Sequence, residues 1–421
     1  MPKLLSINSY HYRRGGADAV YLDHAALFEE LGWDNAFFSM HHPNNLPSPW
    51  SKYFVDEIQI GHDYSLLEKI VKATKVVYSF EAQRRIAQLF DTFKPDVAHL
   101  HNIYHHLSPS ILPTLKRAGI PIVMTAHDLK LACPSNKMLT SKGICEECKV
   151  ARYHRAIVNK CVQNSRAAST IIAFESSLHR VLDSYKKHVD RIVVPSRFFI
   201  DKLVQWGWPK DVFRYVPNFV NAEQFQASFE PGDYFVFFGR LAPEKGVATL
   251  IKAAAAARVR LVIIGTGPLQ QELKSLAEQL NARIEFVGFQ TGAALHRYVA
   301  QSRATVLPSE WYENAPISVL EGLAMGKPAI GARIGGIPEI VRPGESGWLF
   351  ESGNVAQLAR LLTQVSDMAN EQVALLGRRG RAIVEAEFSR ARYTHAMLAL
   401  YGELGVASSN LAARQVDALP V

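Results

Sequence analysis

The 421-residue sequence predicts an α/β protein with two doubly wound parallel sheets facing each other across a cleft. Short continuous apolar runs recur along nearly the whole chain, amphipathic helical patterns separate them, and a proline-containing polar stretch divides the series in two. Strands that are apolar throughout, rather than at every second residue, are covered on both faces. Helices on both sides of a parallel sheet produce that cover.

In the first half the strand candidates are "KLLSIN", "NAFFSM", "DVAHLH", "IPIVMTAH" and "RIVVPS"; in the second they are "YFVFFGR", "RLVIIG", "IEFVGF", "ATVLP", "PAIGA" and "GWLF". The division falls between Gly207 and Gly232, where Pro209, Pro217 and Pro231 accompany the polar run "NFVNAEQFQASFEPGD". This sets one domain at 1–210 and a second at 211–387. A helical segment at 388–405 has nothing local to pack on and is expected to cross back to the first domain, and 406–421 reads as a frayed tail.

Hydrophobic residues make up 48% of the chain and charged residues 20%, which fits an ordinary globular protein of two or more domains and excludes a disordered one. The start "MPKLLSINSY" carries no signal-peptide cleavage pattern and no long apolar run spans a bilayer, so the expected location is cytoplasmic. Residues 129–200 hold 13 basic and 5 acidic side chains, a surplus equal to the whole formal net charge of +8. Two readings stand for that interval: a solvated lysine-rich face, or attraction to an anionic membrane surface or a phosphate-bearing acceptor. Nucleic acid is not an expected partner, because the basic residues are not interleaved with aromatics and no nucleic-acid motif accompanies them.

Ligands of open α/β sheets bind beyond the carboxyl ends of the strands. In "SEWYENAPISVLEGLAMGKP", Ser309 to Pro328, Glu313 stands in the loop leaving a strand and Glu321 two turns inside the next helix, with Pro316 at its start. The first helical turn between them, including Ile317 and Ser318, offers backbone N–H groups to an anion such as a diphosphate. Carboxylates on either side of it could accept hydrogen bonds from sugar hydroxyls; taken singly, each is equally a helix-surface or capping group. "FFGRLAPEKG" places Arg240 and Lys245 just past a strand, where two cations would neutralise a diphosphate, and "IIGTGP" brings Gly265 and Gly267 close to the same region. Position 270 is Gln rather than the third glycine of a dinucleotide fingerprint, which argues against an NAD-dependent dehydrogenase.

In the first half, Gly15 and Gly16 open the first helix, and His127 and Asp128 stand at a strand's carboxyl tip. His99, His101, His105 and His106 read as wall and loop residues rather than metal ligands. Cys133, Cys145, Cys148 and Cys161 fit either a structural four-thiolate zinc site or a set of free thiols; four thiolates leave no open position, so no catalytic metal is implied.

Together these motifs resemble glycosyltransferase family 4, retaining enzymes of the glycosyltransferase-B fold with two facing Rossmann-like domains, and in particular its bacterial cell-surface polysaccharide members. The residues that carry the resemblance are Gly15-Gly16, "AHD" at 126–128, "VVPSRF", "PNFVN", "GRLAPEKG", "GTGP", the Glu313/Glu321 pair, "GKPAIGARIGGIPEIV" and "GESGWLF". The resemblance implies a donor-binding second domain and an acceptor-binding first domain. Arg240 and Lys245 would hold the diphosphate of a nucleotide sugar, Glu321 its ribose, Glu313 the transferred sugar, Gly16 the phosphates from the opposite wall, and His127 the sugar near the reacting centre. Gly15, Gly265, Gly267, Asn314, Ala315 and Ile317 would complete the donor site. The expected reaction moves a hexose-type sugar from a UDP-sugar, or next a GDP-sugar, to a polysaccharide or lipid-linked glycan, with no cofactor for catalysis. A phosphorylase on the same scaffold and a non-catalytic nucleotide-sugar binding protein are the alternatives. Two departures stand out: Phe219 and Asn221 replace the usual Gly and Asp of "PNFVN", and Pro316 removes one N–H from the phosphate-facing turn.

Overall fold

The computed structural model of the protein describes residues 1–58 and 65–406. In chain order the first strands are β1 (Lys3–Ile7), β2 (Asp34–Phe38), β3 (Val97–Leu100), β4 (Ile122–Thr125), the short pair β5 (Leu139–Thr140) and β6 (Gly143–Ile144), β7 (Arg191–Val194) and β8 (Phe213–Tyr215). Then come β9 (Tyr234–Phe238), β10 (Arg260–Ile264), β11 (Ile284–Gly288), β12 (Ala304–Leu307), β13 (Ala329–Ala332) and β14 (Gly347–Phe350). One parallel sheet runs β2-β1-β3-β4-β7-β8, a second runs β11-β10-β9-β12-β13-β14, and β5-β6 is a separate antiparallel hairpin.

Both large sheets are doubly wound, and each reverses its strand order once: between β1 and β3 in the first, and between β9 and β12 in the second. The loops leaving the strands beside such a reversal diverge to opposite faces and leave a crevice. β1 and β3 lead into Gly15-Gly16 and Asn102; β9 and β12 lead into Arg240 and Glu313.

Every strand candidate read from the sequence lies in one of the two sheets. β8 was not among them: at three residues with Arg214 in the middle it shows no usable pattern. Because β8 pairs with β7, the chain leaves the first sheet after Tyr215, later than the boundary at 210 expected from the proline pattern.

Helix Arg390–Glu403 lies on the first sheet, where Tyr393, Met397, Leu400 and Tyr401 bury against Leu4, Val97, Val123 and Val193. Tyr401 Oη sits 2.6 Å from His99 Nδ1 and 2.9 Å from His24 Nε2, which fixes the helix by polar contacts inside that apolar layer. The tail expected from 406 onward lies, after Val406, outside the described residues.

Among the described residues, half of the helices of eight or more residues start with a side-chain cap, such as Ser79 accepting from Ala82 N–H, Ser165 from Ala168 N–H and Ser196 from Phe199 N–H. Two of those without one are Gly16–Glu30 and Ile317–Ala324. These are the helices that begin after β1 and β12, with their first turns at the crevice.

Candidate active site

A cavity of about 840 Å³ lies between the carboxyl ends of the two sheets. Gly15, Gly16 and His127 line it from the first sheet; Arg240, Lys245, Gly265, Gly267, Glu313, Asn314, Ala315, Ile317 and Glu321 line it from the second. Thus the twelve non-cysteine residues singled out in the sequence share one cavity. Asn102, Asn136 and Asn218 line it too, without having been singled out. Asn102 was findable, because it follows β3 beside the strand-order reversal, and Asn218, because it stands in the "PNFVN" motif; Asn136 comes from a loop that no local pattern aims at the cleft.

The ionisable groups do not sit independently. Lys245 Nζ is 2.6 Å from Glu313 Oε1, and Ser309 Oγ donates to the same oxygen at 2.7 Å. Burial alone would raise the Glu313 carboxyl, but the Lys245 ammonium and these hydrogen bonds hold it below its ordinary value. Both bonds fall on Oε1, and Trp311 beside the carboxylate adds to the lowering. Arg240 is exposed and makes no ion pair among the described residues.

Glu321 is placed differently. Burial, and then the Asp23 carboxylate across the cleft, raise it to about 7 against the pull of Arg13. The two glutamates therefore differ in charge near neutrality although they lie on one loop and helix. Asp128 is also raised, to about 6, by burial, while Lys130 N–H and Asn136 Nδ2 donate to its oxygens at 2.9 Å each.

The Asn314 side chain also bridges the two sheets. Its Nδ2 donates to Ala126 O at 2.9 Å and its Oδ1 accepts from Ser196 Oγ at 2.7 Å, so its side-chain amide ties the second sheet's loop to the first sheet. Asn218 Nδ2 donates to Ala315 O at 2.9 Å, and the Glu339 carboxylate accepts from the N–H groups of Arg197 and Phe198 at 2.9 and 2.8 Å. These cross-links fix one sheet's loops against the other.

Close backbone approach explains some of the glycines. Gly265 has φ +134°, and a Cβ there would meet Gly239 O at 1.9 Å; one at Gly267 would meet Leu241 O at 2.3 Å. A side chain at either position would push apart the two loops that aim Arg240 into the cavity. At Gly16 a Cβ would meet only Ile317 Cδ1 at 3.7 Å, an ordinary contact, and at Gly15 nothing within 4 Å. No neighbouring atom of the protein demands glycine at 15 or 16.

The zinc expectation is not supported. Among the described residues no group of three or more His, Cys, Asp or Glu side chains is placed to hold a metal ion. Cys133 Sγ lies 3.3 Å from Ser135 Oγ, and burial, with the neighbouring cysteines adding to it, raises the thiols of Cys148 and Cys161 to about 12 and about 11. The loop is held instead by the buried pair Lys130–Glu175 at 2.6 Å, by Lys130 Nζ donating to Pro134 O at 3.1 Å, and by Cys133 and Met138 in the first sheet's core.

Residues 14–224 match the family described as Glycosyltransferase Family 4, and residues 220–382 match Glycosyl transferases group 1. The amylovoran biosynthesis glycosyltransferase AmsK of Erwinia amylovora is 25% identical over 265 residues, covering 56% of this chain and 65% of AmsK. The sulfoquinovosyl transferase SQD2 of Arabidopsis thaliana is 26% identical over 337 residues, covering 76% of this chain and 59% of SQD2. The matches thus span less than two thirds of either relative. The structure of HepE from Anabaena in complex with UDP and glucose superposes with a TM-score of 0.65 at 16% identity, covering 97% of this chain and 100% of HepE. Its two-sheet architecture is the glycosyltransferase-B fold. With one family match spanning half of the chain and the other most of the remainder, the protein belongs to glycosyltransferase family 4.

Proposed function

We propose that the protein transfers a hexose-type sugar, with retention, from a nucleotide-diphosphate sugar to a growing polysaccharide or lipid-linked glycan. The observation that carries this reading is the grouping, in one cavity, of Arg240, Lys245 and an uncapped helix N-terminus at Ile317. A departing diphosphate develops negative charge, and fixed cations and N–H groups aimed at it stabilise the transition state more than the ground state. In this reading the second domain holds the donor, and the Glu313 carboxylate accepts from a hydroxyl of the transferred sugar. The Glu321 carboxylate accepts from the ribose. The first domain brings the acceptor hydroxyl to the same face, where the leaving phosphate oxygen takes its proton as the sugar passes through an oxocarbenium-like state.

A UDP-sugar is the favoured donor, supported by the HepE complex; a GDP-sugar comes next. The test is release of UDP or GDP from the corresponding hexose donors with short oligosaccharide acceptors, the product's anomeric configuration being read by proton NMR. An α-linked donor should give an α-linked product. An inverted product, or sugar phosphate made from a disaccharide plus phosphate, would overturn the reading.

We also propose that the basic interval 129–200 meets an anionic membrane surface that carries a lipid-linked acceptor. Val150, Val158, Phe174 and Val181 are exposed large apolar side chains within that same interval, a combination that suits an interfacial face. Among the described residues no helix is long and apolar enough to cross a membrane. Sedimentation with phosphatidylglycerol vesicles at low salt should carry the protein down; absence of binding would remove this part of the proposal.

A further inference from the structure

His101 Nδ1 lies 2.8 Å from His127 Nε2, and the two rings stack at 5.1 Å between centroids with 19° between planes. His101 follows β3 and is wholly buried, and its other nitrogen, Nε2, is buried with no hydrogen-bond partner among the described residues. Behind it, His99 stacks on His101 at 4.7 Å, and both nitrogens of His99 are occupied, by Tyr401 Oη at 2.6 Å and Thr125 Oγ1 at 2.7 Å. Tyr21 lies edge-on at 5.4 Å. The His101 ring is therefore boxed in from several sides.

A neutral imidazole has one N–H and one lone pair. Burial keeps both rings neutral, with His127 lowered to about 3 and His101 well below its ordinary value. One proton then lies between them. If His127 donated it, the proton of His101 would have to sit on Nε2 as a buried donor without an acceptor. If His101 donates, only a lone pair is left unmatched on Nε2, and a buried unpaired N–H is the rarer and costlier of the two. His127 must then carry its own proton on Nδ1, the ring nitrogen for which the described residues supply no partner, in a side chain that lines the cleft.

We infer that His101 is a positioning residue that fixes His127 as the Nδ1–H tautomer, so that His127 donates a hydrogen bond to an oxygen of the bound sugar or its departing phosphate. This rests on the reading of the cleft as a nucleotide-sugar site. His127 does not act as a proton acceptor in this arrangement. The cleft accordingly favours a sugar that presents an oxygen lone pair to His127.

The test uses the full-length protein labelled with nitrogen-15 histidine. The signals of His127, identified by their loss in His127→Asn, should show a protonated Nδ1 and a bare Nε2. His101→Phe keeps the ring volume but removes the donor that holds His127 Nε2; it should release the His127 ring, seen as broadened or averaged nitrogen-15 signals, and lower donor turnover about tenfold or more with little change in UDP affinity. His101→Asn, whose amide returns an N–H near the same place, should recover much of the loss. A protonated Nε2 on His127 in the wild-type protein, or wild-type turnover in a folded His101→Phe variant, would overturn the inference. The wild-type spectrum decides the tautomer even if the Phe variant fails to fold. It needs no nucleotide, so failure of the donor-site reading would show separately as absence of UDP binding.

Discussion

Lys245 Nζ and Glu313 Oε1 stand 2.6 Å apart, so two groups expected to serve opposite ends of one ligand form a single ion pair within the protein. The Glu313 side chain is only 7% exposed and Lys245 22%, and a carboxylate so buried is stable only beside a cation. Lys245→Ala should therefore cost stability as well as activity. The expected loss is about 2 kcal/mol, below the ~3–5 kcal/mol of a fully buried pair because Lys245 is partly solvated. Lys245→Met combined with Glu313→Gln should recover most of it. Turnover should fall about 100-fold if the cation supplies about 3 kcal/mol to the transition state. Because the Glu313 carboxyl is held below its ordinary 4.5, the pair's contribution is present above about 4.5 and lost as pH falls through the lower folded value. A Lys245→Ala variant with the wild-type denaturation midpoint would contradict this account.

Glu321 titrates in the opposite sense. Its folded value, raised to about 7 by burial and Asp23, lies above the ordinary 4.5, so its protonated form favours the fold at low pH and that benefit is lost as pH rises through about 7. Ribose hydroxyls donate best to the ionised form. UDP affinity should accordingly rise with pH across about 7 in the wild type relative to Glu321→Gln, the comparison cancelling titration of the diphosphate itself. Parallel pH profiles for the two proteins would remove Glu321 from the ribose site.

The glycines divide into two kinds that one pair of variants separates. Gly16→Ala meets only Ile317 Cδ1 at 3.7 Å and should leave stability within about 1 kcal/mol of wild type, while weakening UDP binding where the backbone approaches phosphate. Gly265→Ala has a positive φ and a backbone collision to relieve, and should lower stability by about 2 kcal/mol or more as well as binding. Unchanged UDP affinity in Gly16→Ala would show that this wall does not touch the phosphates.

Lys130 and Glu175 are 3% and 2% exposed and 2.6 Å apart, and they anchor the loop that follows Asp128. Lys130→Met should destabilise by about 3–5 kcal/mol because it strands a buried charge, whereas Lys130→Met with Glu175→Leu should be far milder. Chemical denaturation of the two variants measures this directly, and equal losses would argue against an uncompensated charge.

Much of this was legible in the sequence because the strands are continuous apolar runs and the loops leaving them carry the unusual residues. Arg240, Lys245 and the two glutamates could be placed at the cleft from their distance past a strand alone. Pairing was not legible: nothing local tells that Lys245 reaches Glu313 across 68 positions, or that Asn314 clamps the two sheets together. The cysteine spacing misled for a related reason. Spacing shows that ligands could meet, and the hairpin and helix between Cys133 and Cys161 do bring the thiols near one another, but among the described residues not in an arrangement that could hold a metal ion. β8 escaped notice because three residues carry no period.

The most direct test of the central claim is calorimetric titration of the protein with UDP, GDP and ADP, repeated on Arg240→Ala. The account predicts one-to-one binding of a single favoured diphosphate, with UDP first, and a loss of about tenfold or more in affinity when the unpaired guanidinium is removed. If none of the diphosphates binds, or if one binds equally well without Arg240, the cleft is not the donor site described.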